Sequence, residues 1–502
     1  MDLNALLTPD TLLGRVACWL HGQGVEAYLV GGSVRDALLG RASRVFHDLD
    51  FAVPKGGLTL ARRLADHLGG AFFPLDSKRD TGRVVLTEPD GRRLYLDFAR
   101  WRGDSLRDDL ADRDFTINAM ALDVTSEGDP IVLDPFGGQA DLAAGTVRAV
   151  TDRSFADDPA RTLRAVRLEA EFGFRIEPRT EALLCQAVSG LVGVSRERVR
   201  DELDRILATP GTADHVRRLD DLGLLAEVLP EVAGLKGVTQ SLPHRVDVYE
   251  HTLQVLAALE GLFAWLWPDA GYTSLTEETI DALNCLLPWR GELWVHLDQP
   301  TSGDRIRATL LKLTVLLHDT GKPETRSQDD SGRIQFLDHE KVGAGIAARA
   351  LQRLRFSGEE IDLVQTIVSQ HLRPLQLSQV ETVTRRAIYR FFREAGEAGV
   401  DVALLSLADH LGIYGDALEP AAWQRVLEVA AVLLEGYFRQ RREVVSPPKL
   451  VSGRDLIAEF GLSPGPRVGE LLERVREAQA EGQVSTREGA LSLLRELLEE
   501  KQ

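Results

Sequence analysis

Cysteine, lysine and long apolar runs are all scarce in this chain. Three cysteines in 502 residues (Cys18, Cys185 and Cys285) are odd in number and widely scattered, which excludes a disulfide framework and suits a reducing compartment. No apolar stretch approaches the ~18 residues that a membrane-spanning helix needs; even LLKLTVLLHD carries Lys312 and Asp319. The opening MDLNALLTPD has no basic stretch, so no signal peptide is expected and the expected location is cytoplasmic, with no membrane partner. Positive charge is short as well: 59 basic residues face 77 acidic ones, a net charge of −18. That balance argues against a uniformly basic nucleic-acid-binding surface but leaves room for a local stripe. Lysine supplies only 8 of the basic residues and arginine 51. Arginine is the fork-shaped donor suited to phosphate, although a codon bias toward arginine accounts for most of such an excess. What remains is ordinary: 44% hydrophobic and 27% charged residues describe a globular chain, and its length predicts three or four domains.

The patterning changes character near residue 150. TLLGRVACWLHGQG has helical spacing up to Gly24, AYLV reads as a short buried strand, and SVRDALLG follows Gly31-Gly32 as a helix. DLDFAV reads as a strand and GRVVLTEPDGRRLYLDFAR as a hairpin turning at Pro89-Asp90-Gly91, with a helix expected from about Thr116. Interleaved strands and helices predict an α/β or α+β head over the first ~145 residues. From Ser154 onward the strand signal disappears and helical periodicity continues to the end. LPWRGELWVHLDQPTSGDR and VVSPPKLVSGRD interrupt it as expected loops or linkers.

The densest constellation spans residues 28–53. A buried strand leads into Gly-Gly and a helix start, and DLD lies on the next strand. Glycines let backbone N–H groups approach an anion, and a helix N-terminus adds partial positive charge. Asp48 and Asp50 are two apart, so on a strand both point to one face. Paired carboxylates repel unless a cation sits between them, and magnesium takes one or two carboxylates alongside phosphate oxygens. Asp97, in RLYLDFAR, is placed to supply a third acid for displacement at phosphorus.

GGSVRDALLG followed by DLD resembles the first signature of the polymerase-β-like nucleotidyltransferases, in particular the class II tRNA nucleotidyltransferase and bacterial poly(A) polymerase family. LADRDFTINAMALD (110–123), DPFGGQADLAAGTVRAV (134–150), FADDPARTLRAVRLEAEFGFRI (155–176) and SRERVRDELDRIL (195–207) resemble that family's next four motifs, in order. The resemblance implies that Gly31, Gly32, Ser33, Arg35 and Asp36 hold the triphosphate and that Asp48 and Asp50 hold Mg2+. It implies that Arg113, Asp114 and Asn118 sit at the sugar and phosphates. Asp158 and Arg161 would present fixed donors and acceptors to the base edge, with Arg164 and Arg167 following on the same helical face. Three departures stand out. Asp157 replaces the usual Glu before Asp158, and Asp112-Arg113 replaces a usual arginine pair. The connection between Arg100 and Asp112, WRGDSLRDDLA, is only 11 residues long. Complete CCA-adding members carry a longer flexible loop there, so the short one resembles members that add only part of the CCA end.

A second constellation follows. His251, His318-Asp319, His339, His371 and Asp409 occur in the order H…HD…H…H…D on successive expected helices, and resemble the HD superfamily of metal-dependent phosphohydrolases. The HD dipeptide alone is weak, since His47-Asp48 is another with a different role. The resemblance implies that His251, His318, Asp319 and Asp409 bind a first ion, with His339 and His371 able to hold a second. Mixed imidazole and carboxylate ligands suit a divalent transition metal better than magnesium. Lys322 is available for a phosphate.

The expected architecture is therefore a multidomain α+β protein. A polymerase-β-like palm (1–150) precedes an all-α neck (151–235), an HD domain (236–415, with an insertion at about 265–310) and C-terminal helices (416–502). The expected activity is template-independent transfer of C and/or A from CTP or ATP to tRNA or other RNA 3′ ends, with pyrophosphate release, plus HD phosphohydrolysis. The rivals are a poly(A) polymerase, a protein-modifying uridylyltransferase, and an HD phosphohydrolase whose head only binds RNA. RDFTINAMA and DPFGG argue against the second, and intact Asp48 and Asp50 against the third.

Overall fold

The computed structural model describes residues 3–41, 48–126, 130–267, 275–303 and 305–499; His47 and parts of the 265–310 segment lie outside these. The chain forms two compact units, Met1–Val194 and Ser195–Gln502. The first carries the small mixed sheet of an α+β palm and the second is almost wholly helical.

Seven strands build the palm: β1 (Tyr28–Val30), β2 (Asp48–Val53), β3 (Ala71–Asp76), β4 (Thr81–Thr87), β5 (Arg93–Arg100), β6 (Ala121–Asp123) and β7 (Val132–Leu133), in the order β3-β4-β5-β2-β1-β6-β7. Alternation decides which face each strand buries. Leu49, Phe51 and Val53 turn inward while Asp48 and Asp50 stay exposed. Phe51 stacks on Phe98 of the neighbouring strand at 4.7 Å, and burial of each ring contributes about 2–3 kcal/mol. Helix Gly57–Leu68 packs on β4 and β5 through Leu60, Ala61 and Leu64. Its start is fixed by Asp80, whose carboxylate accepts from the N–H groups of Gly56, Gly57 and Leu58.

The hairpin turn falls at Pro89-Asp90-Gly91, which pairs Thr87 with Arg93 and Arg83 with Asp97. The expected helix from Thr116 is instead a three-residue 3-10 turn, Thr116–Asn118, leading into β6. Asp114 explains it: one carboxylate oxygen accepts from Phe115 N–H and Asn118 Nδ2, closing the turn, and Ala121–Asp123 then pairs with β1. Strand pairing wins over local helical periodicity there. Two short strand pairs also appear where helix alone was expected, Arg175–Ile176 against Thr146–Val147, and Arg326–Gln328 against Ile334–Phe336.

In the second unit, LPWRGELWVHLDQPTSGDR contains helix Arg290–Leu297 rather than a loop, because Leu293, His296 and Leu297 share one buried face. VVSPPKLVSGRD begins in the π-helical turn Arg441–Val445 and is then irregular until Ser452 and Asp455 form a capping box that starts helix Gly453–Phe460. Helix Arg307–Leu317 is buried on every side. Its Lys312 is tolerated because Nζ donates to the carbonyls of Leu207 and Thr209, to Thr212 Oγ1 and to Glu260. Among the described residues, no helix is long and apolar enough to cross a membrane.

Candidate active site and metal centre

Strand register assembles the acidic row. β2 and β5 run parallel with Asp50 beside Asp97, and the antiparallel β4 sets Arg83 beside Asp97. Arg83 grips Asp97 with two hydrogen bonds of 2.8 Å. Asp50 keeps a solvent-facing edge, yet protein atoms crowd its carboxyl. Lost hydration, with Asp97 and Asp48 beside it and Arg113 opposing, pushes it up to about 6. Three acids answered by few cations fit a divalent ion held by Asp48 and Asp50.

That raised value has a consequence for stability. The folded protein binds a proton at Asp50 over a pH range where the unfolded chain has released it, so stability falls as pH rises through about 6. In magnesium-free buffer, Asp50→Asn is expected to melt higher than wild type at pH 7.5. The gap should shrink as pH is lowered to 4. Differential scanning calorimetry without added metal checks both.

Around this row the motif residues lock one another. Gly31 caps helix Gly32–Leu38 at φ +80, and a Cβ there would stand 3.1 Å from Arg113 Nη1; only glycine suits it. Ser33 Oγ donates to the Asp48 carbonyl at 2.9 Å. Arg35 is buried, donating to Asp36 and to Asn118 Oδ1 and lying over the Phe172 ring at 4.4 Å. Arg113 is held by Asp109 at 3.2 Å. Burial pushes the Asp114 carboxyl up, but Arg164, Asn118 and the Phe115 N–H outweigh it and leave it below its ordinary value.

Helix Arg161–Phe172 closes the site. Arg161 donates to the carbonyls of Asp112 (2.7 Å), Ser154 (3.2 Å) and Arg113 (3.3 Å), and lies 3.9 Å from Asp158. Arg164 pairs with Asp114 at 3.0 Å and Arg167 with Glu171 at 3.3 Å. The short connection is itself ordered: Ser105 caps helix Leu106–Ala111, and Asp109 accepts from Arg102 N–H as well as from Arg113.

In the second unit, four helices and a turn bring the histidines onto one carboxylate. Asp319 lies 3.2 Å from His318 Nε2, 3.3 Å from His339 Nε2, 3.5 Å from His251 Nε2 and 4.0 Å from His371 Nε2. Asp409 is 3.1 Å from His251. His318, His339 and His371 each point Nδ1 at the carbonyl three residues back, at 2.7–2.8 Å, which leaves Nε2 as the atom that could face an ion. The Nε2 atoms of His251, His318 and His339 are buried and approach these carboxylates without well-formed hydrogen bonds. His251, His318 and Asp409, and likewise His318, Asp319 and His371, converge closely enough to hold an ion. Burial, with His318 alongside, pushes His371 down to about 3, so its ring is neutral. The donor set fits one or two divalent ions. Lys322 Nζ sits 2.7 Å from Asp319.

Sequence reasoning missed Arg83, Asp109, Phe172 and His244. Arg83 was reachable, since the turn at Asp90 fixes the register that sets it opposite Asp97. His244, whose ring centroid is 4.8 Å from that of His251, lies in a loop with no periodicity to reveal it.

A palm with an acidic row beside a glycine turn, joined in one chain to a histidine-rich metal centre, defines a nucleotidyltransferase with an HD domain. Family models agree: the poly A polymerase head domain matches residues 27–148, and the probable RNA- and SrmB-binding site of polymerase A matches 173–235. The HD domain matches 248–412 and the putative tRNA nucleotidyltransferase domain 2 matches 335–494. The chain is 35% identical over 483 residues to the A-adding tRNA nucleotidyltransferase of Deinococcus radiodurans, covering 94% of this chain and 96% of the relative. It is 34% identical to the CC-adding enzyme of Thermus thermophilus, covering 93% of each. Its fold matches the Thermotoga maritima CCA-adding enzyme complexed with tRNA at a TM-score of 0.58, with 22% identity and 99% of both chains covered. The chain belongs to the tRNA nucleotidyltransferase family.

Proposed function

We propose that this enzyme builds only part of the tRNA CCA end, adding the terminal A from ATP, and that its HD centre is a separate metal-dependent phosphohydrolase. The observation that carries partial addition is the 11-residue connection. Six of its residues form the capped helix Leu106–Ala111, whose Asp109 holds Arg113 in place, and this restricts a rearrangement that would accept a second base. Adenine is our assignment on the A-adding relative, 35% identical over 94% of this chain, and a CC-adding relative that matches almost as well, at 34% over 93%, is the rival that the same assay separates. Purified enzyme should add one A to a tRNA ending in CC and nothing to a tRNA ending in the discriminator base. Addition of CMP to the latter would overturn the assignment.

In this reading Asp48 and Asp50 hold Mg2+, which when bound supplies positive charge against the phosphates. The RNA 3′ hydroxyl gives its proton to a carboxylate of the acidic row, and its oxygen bonds to the α-phosphorus as the bond to pyrophosphate breaks. Asp97 completes the row, but it meets the reacting hydroxyl only after Arg83 turns away, and a triphosphate is a competing partner for that guanidinium. Arg35, Arg113 and Asn118 sit at the phosphates and sugar. Asp158 and Arg161 read the base, with Arg164 and Arg167 behind them. The division into head, neck, HD domain and C-terminal helices belongs to the same proposal, as does a cytoplasmic location.

Arg161 has two duties on this account. Arg161→Ala should lose nucleotide discrimination and also about 1–3 kcal/mol of stability, because three backbone carbonyls lose their donor. Exposed Arg205→Ala should change neither. Competition between ATP and the other nucleotides, with a thermal melt of each variant, checks both effects. Slower turnover with unchanged preference would assign Arg161 to positioning alone.

A further inference from the structure

The strand register puts Arg83 at one end of the acidic row. Directly paired residues on neighbouring strands share a face, so the pairings of Arg83 with Asp97 and of Asp97 with Asp50 set these three side chains side by side on the open face of the palm. On the other flank of β2, Val30 pairs with Asp50 and the glycine turn follows it. A Cβ on Gly31 would lie 3.6 Å from Asp50 Oδ2 and 3.1 Å from Arg113 Nη1. Across the sheet the order is therefore Gly31 with Arg113, then Asp50, then Asp97, then Arg83, with neighbouring strands about 4.8 Å apart.

That order gives the reaction a direction. In an in-line displacement the attacking oxygen approaches phosphorus from the side opposite the leaving group. On the proposed reading the triphosphate lies at the Gly31 and Arg113 end, so pyrophosphate leaves toward that end and the RNA 3′ oxygen arrives from the Asp97 end. The phosphodiester of the last RNA nucleotide follows that oxygen, and beyond Asp97 the sheet offers Arg83. Its guanidinium now spends Nε and Nη2 on Asp97, at 2.8 Å each. The Tyr95 ring supports it from the face, 5.0 Å away. The pair is open to solvent, with the Arg83 side chain 36% exposed and that of Asp97 19%. Such a pair is held by a small net balance, and a phosphate offers the same fork an equally good bidentate partner.

Building on the reading of Asp48 and Asp50 as metal-holding acids, we propose that Arg83 locks Asp97 until RNA binds and is then drawn off it by the terminal phosphodiester of the RNA, so that the arriving RNA end itself frees the third acid. The exchange makes and breaks no covalent bond; the guanidinium trades one bidentate anion for another. While locked, the Arg83 charge offsets one of the three acids, so the row attracts a divalent ion less strongly than three unpaired carboxylates would. Arg83 both contacts the RNA and positions Asp97.

The test uses the full chain and Arg83→Gln, which keeps a polar side chain without the charge. Arg83→Lys restores the charge without the fork, and Arg92→Ala removes a hairpin arginine that pairs with Asp90 at the turn. Mn2+ binding without nucleotide or RNA is followed by electron paramagnetic resonance. The palm ion is the one that Asp50→Asn removes, which separates it from the HD centre. Arg83→Gln should bind that ion about tenfold tighter than wild type, a gain that a damaged palm would not give, and adding Asp97→Asn should cancel it. In nucleotide addition Arg83→Gln should raise the KM for tRNA about tenfold and leave the KM for the nucleoside triphosphate within about twofold. Arg83→Lys should recover part of the tRNA affinity, and Arg92→Ala should match wild type throughout. Unchanged Mn2+ affinity or an unchanged KM for tRNA in Arg83→Gln would overturn the inference. A rise in the KM for the triphosphate alone would overturn it too, giving the guanidinium to that substrate. If Asp50→Asn removes no Mn2+ from either wild type or Arg83→Gln, the reading of these acids as metal ligands is what fails.

Discussion

Asp50→Ala, and equally Asp48→Ala, is expected to lower nucleotide addition by roughly 10³-fold or more, equivalent to about 4 kcal/mol of transition-state stabilisation. The fold should survive. Both side chains project from the open face of β2, while Leu49, Phe51 and Val53 on the other face keep the packing. Removing either acid also relieves repulsion along the row, so no loss of melting temperature is expected. Hydrolysis of p-nitrophenyl phosphate should be untouched, because the HD ligands belong to the other compact unit. Steady-state incorporation of labelled AMP into a CC-ending tRNA, read beside the hydrolysis rate, separates a dead site from a misfolded chain. Near wild-type incorporation by either variant would place the chemistry elsewhere.

Asp319→Asn is expected to have the mirror-image effect. Four histidines and Lys322 converge on that carboxylate. Burial opposes its ionisation, yet His318, Lys322 and His339 hold it well below the usual carboxylate range. An amide of the same shape gives up the negative charge, so metal affinity should fall about 10–100-fold or more and hydrolysis with it. The variant should also lose stability, since cationic neighbours then face an uncharged group in the interior. Metal analysis after gel filtration, with hydrolysis and tRNA addition measured on the same sample, checks the split. Full metal content with normal hydrolysis would exclude Asp319 from the centre.

Much of this was legible in the sequence because the relevant residues sit in periodic elements. DLD alternates with buried Leu49 and Phe51, and that alone fixes the face on which the acids lie. The histidines fall on helices whose apolar spacing is plain, so their order along the chain sufficed to group them. What could not be read were relations across the fold. RDFTINAMALD has a helical pattern, and only the pairing of Ala121–Asp123 with β1 turns it into a strand. Arg161 looks free to face a base until the carbonyls of Asp112, Arg113 and Ser154 are seen around its guanidinium. His244 belongs to no repeat, and its place beside His251 comes from tethers to a hairpin some ninety residues away.

The central claim is that one palm with a short, helical connection between Arg100 and Asp112 serves one nucleotide identity. The most direct measurement supplies purified enzyme with a tRNA lacking all three terminal nucleotides, together with both CTP and ATP, and sequences the 3′ ends. The account predicts that this tRNA stays unextended while a CC-ending control in the same tube gains a single A. A complete CCA end on the tRNA that began with none of it would contradict the account.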